Sequence, residues 1–327
     1  MTIDWSGLVA LVRQHQRFLL TSHVRPDCDS LGSELGMAGV LEALGKQVRI
    51  VNADAVPEHL GFIDPGHRIE SLDRGATVDP HAETDVLIVL DTSSWVQLGP
   101  MGDVLRATGA TIAIIDHHVG GDDLSAEHFV DSKAESTGRL VVEAAGALDV
   151  ELQGETARAL FAAMATDSGW FRFSSVCGET FRIAGQLIDA GAKPAEIYRS
   201  LYEQNTLARL RLRGRILARI GSYLDGQLLV TCVTRDDFNE TGALPGDTED
   251  VVNMLLGVAG SQVAVIFQEQ PGGGVKASLR SRGAVDVQQI AAMFGGGGHK
   301  AAAGVTLDGP LVEAEAKILD GLRQAMK

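Results

Sequence analysis

Two adjacent histidines that follow an aspartate are the residues of this chain with the clearest chemical potential. Asp116, His117 and His118 come directly after residues 111–115, an apolar run that predicts a buried strand. Carboxylate and imidazole groups are unfavourable at the end of a buried strand unless they bind something, because burial removes their water. Oxygen and nitrogen ligands of this kind suit Mn²⁺, Zn²⁺ or Fe²⁺. The segment therefore predicts part of a metal site.

Two other apolar runs also end in potential metal ligands. Residues 18–22 lead into His23, and residues 86–90 lead into Asp91. Open α/β sheets place their sites at the carboxyl ends of parallel strands, so three strands would deliver ligands to one edge. A lone aspartate after a strand is more often a turn or capping residue, but turn chemistry does not require the histidines. We therefore interpret the set as one site.

Further carboxylates follow these strands along the chain. Asp27 and Asp29 come after Pro26, which stiffens the turn, and in an extended segment their side chains would share one side. Asp167 closes a helical stretch over residues 155–164. These carboxylates are too many for one ion, but two cations roughly 3.5–4 Å apart, bridged by a carboxylate and a water, would use them all. The pattern predicts a two-metal site that activates a bridging hydroxide for attack on phosphorus.

A second set of residues, in the last third of the chain, is suited to phosphate binding. Four glycines at positions 295–298 precede His299 and Lys300, and glycine backbone N–H groups can form an anion-binding concavity. Upstream, alternation over residues 276–282 predicts a strand that puts three polar side chains on one face, those of Ser278, Arg280 and Arg282. Arginine matches phosphate bidentately. A flexible linker and a solvated edge strand remain the alternatives.

Taken together, these residues resemble the DHH phosphoesterase superfamily. Within it they look like the branch of nanoRNases and 3′,5′-bisphosphate nucleotide (pAp) phosphatases, the NrnA type. The N-terminal match covers residues 23–33, Asp91, residues 116–118 and Asp167, and the C-terminal match covers residues 278–281 and 295–304, the signature of the DHH-associated substrate domain. The resemblance spans nearly the whole chain, and the motifs come in the family's order.

The resemblance implies a role for each matching residue. Two divalent ions, usually Mn²⁺ in this family, would be held by His23, Asp27, Asp29, Asp91, His117 and Asp167. Asp91 would bridge them, with His23 and Asp27 on one ion and the other three ligands on the second. The catalytic residues would be Asp91, His117 and His118. The substrate would be held by Arg280, Ser281, Gly296, Gly297, Gly298 and His299. Cys28 would be inert.

The implied activity is release of mononucleotides from nanoRNA or linear dinucleotides, or of phosphate from pAp. A manganese-dependent inorganic pyrophosphatase, a longer single-strand exonuclease and a non-catalytic nucleotide sensor are the rival interpretations. The pyrophosphatases carry a Lys/Arg-rich motif where this chain has its glycines and histidine, and a sensor would typically have lost ligands. The net charge of −15 disfavours binding along a long phosphate backbone, so we expect short RNA or a nucleotide bisphosphate.

The elements that would position these residues alternate between strand and helix through residues 1–190, which predicts an α/β domain with a parallel sheet. Residues 191–220 read as a helical linker rich in arginine, with a basic wall facing the metals as the alternative. Residues 221–327 predict a smaller α/β substrate-binding domain with a mixed sheet, and we expect a cleft between the two domains. For residues 136–138, we favour a role in helix capping over contact with substrate. For residues 170–173, we favour packing in the core over stacking on a base.

The remaining features of the sequence concern its cellular setting. No apolar run approaches the roughly 20 residues that span a bilayer, and residues 1–5 lack the form of a signal peptide. The three cysteines, Cys28, Cys177 and Cys232, do not make a disulfide framework. We expect a cytoplasmic protein without membrane partners, for which a homodimer is one allowed assembly.

Overall fold

The computed structural model describes residues 3–80 and 84–326. The chain divides into two compact units, Met1–Gln204 and Asn205–Lys327. The first two residues of the N-terminal segment considered above lie outside the described residues, as do residues 81–83 and Lys327. Among the described residues, no helix combines the length and the apolar composition that crossing a bilayer requires.

The first unit contains the parallel sheet that the strand and helix alternation predicts. Its strands are β1 Arg17–Thr21, β2 Gln47–Asn52, β3 Ile69–Ser71, β4 Val86–Leu90, β5 Thr111–Asp116 and β6 Glu127–Val130. They lie in the order β3-β2-β1-β4-β5-β6, and every neighbouring pair is parallel. The α/β class with a parallel N-terminal sheet is therefore confirmed.

Helices cover both faces of this sheet. They are α1 Ser6–Gln14, α2 Cys28–Ala43, α3 Trp95–Leu98, α4 Met101–Ala107, α5 Thr137–Ala147, α6 Gly154–Asp167, α7 Gly178–Asp189 and α8 Pro194–Tyr202. Along β4, Val86, Ile88 and Leu90 face the core made by α1, α2 and α5–α7, whereas Leu87 and Val89 face the core made by α3 and α4. The strand is apolar throughout because both of its faces are covered.

Close contact between α2 and α6 sets the position of two predicted ligands. A Cβ atom added at Gly32 would lie 2.5 Å from the Ala159 carbonyl oxygen, and one at Gly36 would lie 2.3 Å from the Leu160 side chain. These glycines therefore allow the two helices to approach each other closely. Asp29 in the first turn of α2 and Asp167 at the end of α6 are consequently held on adjacent elements.

The second unit contains the predicted mixed sheet. Its strands are β7 Gly221–Tyr223, β8 Leu228–Val233, β9 Val263–Glu269, β10 Val275–Ser281, β11 Gly297–His299 and β12 Ala302–Leu307. Its helices are α9 Leu207–Ala218, α10 Arg235–Thr241, α11 Val251–Leu256, α12 Val287–Ala292 and α13 Leu311–Ala325. The strand order is β11-β12-β10-β9-β8-β7, in which only β8 and β9 pair in parallel.

The two faces of this second sheet differ in how they are covered. On one face, Ala277 and Leu279 of β10 belong to the core formed with α12 and α13. On the other face, α9 and α11 pack against β8 and β9. On that same face of β10, Ser278 and Arg280 are only half-buried and Lys276 is exposed. This part of the sheet is accessible to solvent.

Residues 191–220, which the sequence predicts to be a helical linker, do not form one continuous helix. The segment forms α8 and α9 with a break between them, and Thr206 caps α9 by accepting a hydrogen bond from the Arg209 N–H at 3.0 Å. Leu212 and Ile216 of α9 are fully buried in the second unit, so α9 is part of that unit's core. The domain limits predicted from sequence remain predictions.

Candidate active site

The predicted ligands gather at the carboxyl edge of the first sheet, where β1, β4 and β5 are neighbours. His23 follows β1, Asp91 follows β4, and His117 and His118 follow β5. Their donor atoms fall into three overlapping groups within which all atoms lie within 4.8 Å of one another: His23, Asp27 and Asp91; Asp29, His117 and Asp167; and Asp91, His117 and His118. The tertiary structure therefore brings together every residue predicted to hold metal.

The first group is oriented by the backbone of the turn after β1. His23 Nδ1 lies 2.9 Å from the Val24 carbonyl oxygen, so this ring nitrogen donates and Nε2 is left with a free electron pair. Nε2 lies 3.4 Å from Asp91 Oδ2 and 3.9 Å from Asp27 Oδ1. A ring nitrogen fixed by a carbonyl, with its partner aimed at carboxylates, is the usual environment of a histidine that binds metal.

The second group repeats this arrangement on different elements. His117 Nδ1 lies 3.2 Å from the Ala134 carbonyl oxygen, and Nε2 lies 3.4 Å from Asp167 Oδ2 and 3.7 Å from Asp29 Oδ2. The distances from Nε2 exceed those of ordinary hydrogen bonds, yet these three donor atoms all lie within 4.8 Å of one another. An ion between them would have one imidazole and several carboxylate ligands.

Asp91 lies between the two groups: it belongs to the first group, and it shares the third with His117, a member of the second. Its Oδ2 is the oxygen nearest His23, whereas its Oδ1 lies 3.6 Å from His117 Nε2. Asp91 also adopts a left-handed backbone conformation with φ of 64°, which is uncommon for residues other than glycine and is found most often at functional sites. The two oxygens of one carboxylate thus face two separate sets of ligands.

The electrostatics of the site favour bound cations. Burial, together with repulsion from Asp91 and Asp167, raises the pKa of Asp29 well above its usual value. Burial also raises the pKa of Asp167. Burial by itself would lower the pKa of His23, but the hydrogen bond and charge of Asp91 raise it to about 9. Buried carboxylates repel one another in this way unless positive charge is placed among them, so the donor set fits bound divalent ions.

The local structure around Asp27 and Asp29 differs from the expected extended segment. Helix α2 begins at Cys28, and Asp27 is its N-cap residue, accepting hydrogen bonds from the N–H groups of Asp29 and Ser30 at 2.9 and 3.0 Å. An aspartate at an N-cap satisfies N–H groups that have no partner within the helix. The two carboxylates therefore reach different ligand groups, one from a helix cap and the other from the first helical turn.

Asp116 does not join the ligands but orients His118. Asp116 Oδ1 lies 2.8 Å from His118 Nδ1 and accepts a hydrogen bond from the His118 N–H at 3.1 Å. The Ser93 hydroxyl donates to Asp116 Oδ2 at 2.5 Å. The hydrogen bond that His118 donates to Asp116 raises the pKa of His118. His118 and Lys133 line a cleft of about 760 Å³, so the imidazole is accessible to a ligand.

A buried polar network beside β1 was not predicted from the sequence. Asn52 Nδ2 donates to Glu34 Oε2 at 2.9 Å, and Asn52 Oδ1 accepts from the Ser22 N–H at 3.0 Å. Glu34 is fully buried in α2. The network supports the end of β1, from which His23 projects. A glutamate amid apolar helix positions was the available sequence signal.

The register of the second sheet brings two predicted substrate residues onto one face. Ala302 pairs with Arg280 on one side and with His299 on the other, and directly paired residues point to the same face. Two strand spacings therefore separate Arg280 from His299, roughly 10 Å. Because Ala302 between them is small, the surface of the sheet between the Arg280 and His299 side chains is open.

The glycine run is neither a flexible linker nor a simple loop. Gly297 and Gly298 belong to β11, an edge strand paired with β12. The Gly296 N–H donates to the Ala291 carbonyl oxygen at 2.9 Å, so the expectation that it is free for substrate is wrong. A Cβ atom at Gly296 would lie 2.4 Å from the Gly304 carbonyl oxygen, which explains the glycine by close approach of the backbone.

Two further side chains of this region have local partners. The Ser281 hydroxyl donates to the Val285 carbonyl oxygen at 2.6 Å, and Ser281 is only 7% exposed. Arg282 donates to the carbonyl oxygens of Ser261 and Leu256 at 2.9 and 2.5 Å. Both side chains therefore stabilise the turn after β10. Of the two arginines predicted to face the substrate, Arg280 remains a candidate and Arg282 does not.

The remaining sequence alternatives are decided by contacts. Ser136 caps α5 by accepting from the Arg139 N–H at 3.1 Å. Trp170 and Phe171 pack in an aromatic cluster with Phe161, Tyr198, Tyr202 and Phe181. Arg215 and Arg219 of α9 form ion pairs with Asp237, so they do not form a free basic wall. Burial raises the pKa of the Cys28 thiol to about 12, in agreement with an inert residue.

Comparison with known proteins identifies two domains in the chain. Residues 17–165 match the N-terminal domain of the DHH family, and residues 225–327 match the DHHA1 domain. A solved structure titled an exopolyphosphatase-related protein, from Bacteroides fragilis, superposes with a TM-score of 0.81 at 27% identity, over 98% of this chain and 95% of that one.

Two similar proteins carry the name bifunctional oligoribonuclease and PAP phosphatase NrnA. The protein from Thermus thermophilus is 34% identical over 94% of this chain and 89% of its own length. The protein from Bacillus subtilis is 25% identical over 92% of this chain and 92% of its own length. Both similarities therefore extend over the two units.

Proposed function

The chain belongs to the DHH family of metal-dependent phosphoesterases, with a DHHA1 domain, and on that premise we propose that it hydrolyses very short RNA to mononucleotides and removes phosphate from pAp. The observation that carries the proposal is Asp91, whose two oxygens face two separate ligand groups. The names of the two relatives supply the substrate classes. The proposed place of action is the cytoplasm.

The proposed cofactor is a pair of Mn²⁺ ions. One would be held by His23, Asp27 and Asp91, and the other by Asp29, Asp91, His117 and Asp167. Oxygen and nitrogen donors without thiolates suit Mn²⁺. When bound, the pair supplies a water of lowered pKa and neutralises charge on the phosphate. The backbone carbonyl groups of Val24 and Ala134 fix the orientation of the His23 and His117 rings.

We assign His118 to the leaving oxygen of the substrate. Asp116 accepts the hydrogen bond from His118 Nδ1, which leaves Nε2 as the atom that can hold or release a proton. The neighbouring carboxylates favour the protonated ring. A histidine held in one orientation by a buried carboxylate is well suited to general acid catalysis. His117, whose Nε2 lies 3.6 Å from Asp91 Oδ1, acts as a metal ligand in this scheme.

The second unit is proposed to bind a phosphate of the substrate that does not react. Arg280 and His299 stand on one accessible row of the sheet, with Ala302 between them. The outward N–H groups of the edge strand that contains Gly297 and Gly298 complete the proposed site. Such a site holds one phosphate, whereas a long strand needs many basic contacts, which a net charge of −15 disfavours. Short substrates are therefore preferred.

The test is a Mn²⁺-supplemented assay with four substrates side by side: a diribonucleotide with a 5′-phosphate, pAp, a long RNA and inorganic pyrophosphate. Rapid turnover of the first two, with little of the others, is the expected result. Asp91→Ala should abolish turnover, whereas Asp103→Ala on the exposed surface of α4 should leave it unchanged. Turnover of pyrophosphate alone would contradict the proposal, as would normal turnover by Asp91→Ala.

A further inference from the structure

The first turn of α5 contacts two of the carboxylates in the candidate site. The Thr137 hydroxyl donates to Asp91 Oδ1 at 2.9 Å, and the Thr137 N–H donates to Asp29 Oδ2 at 2.8 Å. The Gly138 N–H donates to Asp29 Oδ1 at 2.9 Å. Thr137 is fully buried, and Asp29 and Asp91 are each 2% exposed. One residue therefore links Asp91, whose oxygens face His23 and His117, with Asp29, a member of the second group.

The two links have different chemical origins. Asp29 is held by backbone N–H groups, which any residue at position 137 except proline would supply. Asp91 is held by the hydroxyl of the side chain, which only threonine or serine would supply in the same geometry. A substitution at Thr137 can therefore release Asp91 while Asp29 keeps its hydrogen bonds.

The hydroxyl acts on one particular oxygen of Asp91. Oδ1 accepts from Thr137 and faces His117, whereas Oδ2 faces His23. We infer that Thr137 is a positioning residue, whose hydroxyl sets the rotation of the Asp91 carboxylate and thereby the affinity of the metal position next to His117. This inference rests on the proposed function, because it assumes that ions occupy both ligand groups.

The first turn of α5 packs closely against its surroundings. A Cβ atom at Gly138 would lie 2.6 Å from the Ala163 side chain and 3.3 Å from Asp29 Oδ1, so α5 approaches α6 and the carboxylate as closely as glycine allows. Once the hydroxyl is removed, Asp91 Oδ1 loses a neutral donor. Hydrogen-bond partners of metal ligands typically contribute a factor of about 10–100 to metal affinity.

The experiment compares Thr137→Val, which keeps the branched shape and lacks the hydroxyl, with Thr137→Ser, which keeps the hydroxyl. Calorimetric titration of metal-free protein with Mn²⁺ gives affinity and stoichiometry, and anomalous scattering from crystals at limiting Mn²⁺ assigns occupancy to each position. We expect Thr137→Val to weaken one ion by about 10–100-fold, at the position next to His117, and Thr137→Ser to resemble the wild type.

Two controls separate this role from a general loss of stability. Thr231→Val removes another buried hydroxyl, which donates to the Ile216 carbonyl oxygen in the second unit, and should leave Mn²⁺ binding unchanged. Thr137→Ala repeats the test with a smaller side chain, and it decides the outcome if Thr137→Val does not fold. Both are compared by thermal unfolding without metal.

The outcomes distinguish the inference from the proposed function. A wild-type chain that binds two Mn²⁺ ions and hydrolyses short RNA supports the function. If hydroxyl-free variants of Thr137 then bind both ions with unchanged affinity, or lose both to the same degree, the inference is wrong and the function stands. A wild-type chain that binds no Mn²⁺ would contradict both.

Discussion

Substitution of the buried Glu34 by glutamine should change how stability depends on pH. Glu34 is fully buried; its Oε2 accepts from Asn52, and its Oε1 has no hydrogen-bond partner among the described residues. Burial raises the pKa of this carboxyl from 4.5 to about 8, although hydrogen bonds from Asn52 and Ser22 oppose the shift. The folded protein therefore keeps Glu34 protonated at neutral pH, whereas the unfolded chain ionises it.

The size of the effect follows from the difference between the two pKa values. Each unit of pKa corresponds to about 1.4 kcal/mol, so the ionised carboxylate favours the unfolded chain by about 3 kcal/mol at pH 7. This contribution is absent below the unfolded pKa, grows as pH rises, and is complete above the folded pKa of about 8. In Glu34→Gln it is absent at every pH.

The glutamine amide adds an opposing effect that does not depend on pH. Its N–H groups would occupy the place of Oε1, where an unsatisfied buried donor costs about 1–3 kcal/mol. The net change in stability at pH 7 therefore has a smaller magnitude than the ionisation effect alone. The slope is the clean observable: the wild type should lose about 3–4 kcal/mol more than Glu34→Gln between pH 5 and pH 8.

The assay is urea unfolding of metal-free protein at closely spaced pH values in this range, followed by circular dichroism. A chelator is present throughout because ions in the candidate site would lower the pKa of a nearby acid. Glu58→Gln, at an exposed position, is the matched control and should run parallel to the wild type. Parallel curves for Glu34→Gln and the wild type would refute the reasoning.

Three other perturbations test different parts of the molecule. His299→Ala should raise KM for a dinucleotide by about tenfold with little change in Mn²⁺ affinity, as expected for one charged hydrogen bond, and an unchanged KM in steady-state kinetics would remove His299 from the substrate site. Gly296→Ala should destabilise the second unit by about 1–3 kcal/mol in urea unfolding, because its Cβ meets the Gly304 carbonyl oxygen at 2.4 Å; full stability would show that the hairpin relaxes. Asp237→Asn should flatten the acid side of the stability curve, since hydrogen bonds from Arg219 and Thr234 outweigh burial and hold the pKa of Asp237 below its usual 3.8. That stabilisation is present above pH 4 and is lost as pH falls through the folded pKa, so an unchanged acid midpoint in Asp237→Asn would contradict it.

The Glu34 experiment also bears on the candidate site. Because Asn52 accepts a hydrogen bond from the Ser22 N–H, the network holds the backbone just before His23. Glutamine retains an oxygen for Asn52 Nδ2, so this support should persist. We therefore expect Glu34→Gln to retain turnover near neutral pH, and a large loss would indicate that the proton of Glu34 matters for the position of His23.

The chain by itself determined the class of the fold and the set of candidate ligands. Each of β1, β4 and β5 is largely apolar, because both faces of a parallel sheet are buried. A ligand, His23, Asp91 or His117, follows within two residues of the end of each strand. The residue types and their order within each short segment are enough to predict these strands and ligands. The family motifs, which are also local, completed the list.

Local patterns misjudged the parts where one residue has two possible roles. Asp27 was expected in an extended turn, yet its carboxylate accepts two N–H groups and starts α2. The glycine run was expected to form an anion-binding concavity. Gly296 is instead required because the backbone of β12 lies too close for a side chain. In each case the decisive partner is a backbone group, which every residue carries and which sequence therefore does not mark.

Only the tertiary structure decided which residues support the ligands. Thr137 and Asp91 are 46 residues apart in the chain, and Thr137 and Asp29 are 108 apart, so no periodicity relates them. Their contact depends on the packing of α5 against α2 and on the crossing of the chain between strands. The ligands are specified by residue type at strand ends, whereas their orientation is specified by hydrogen bonds between distant segments, which form only when the whole unit folds.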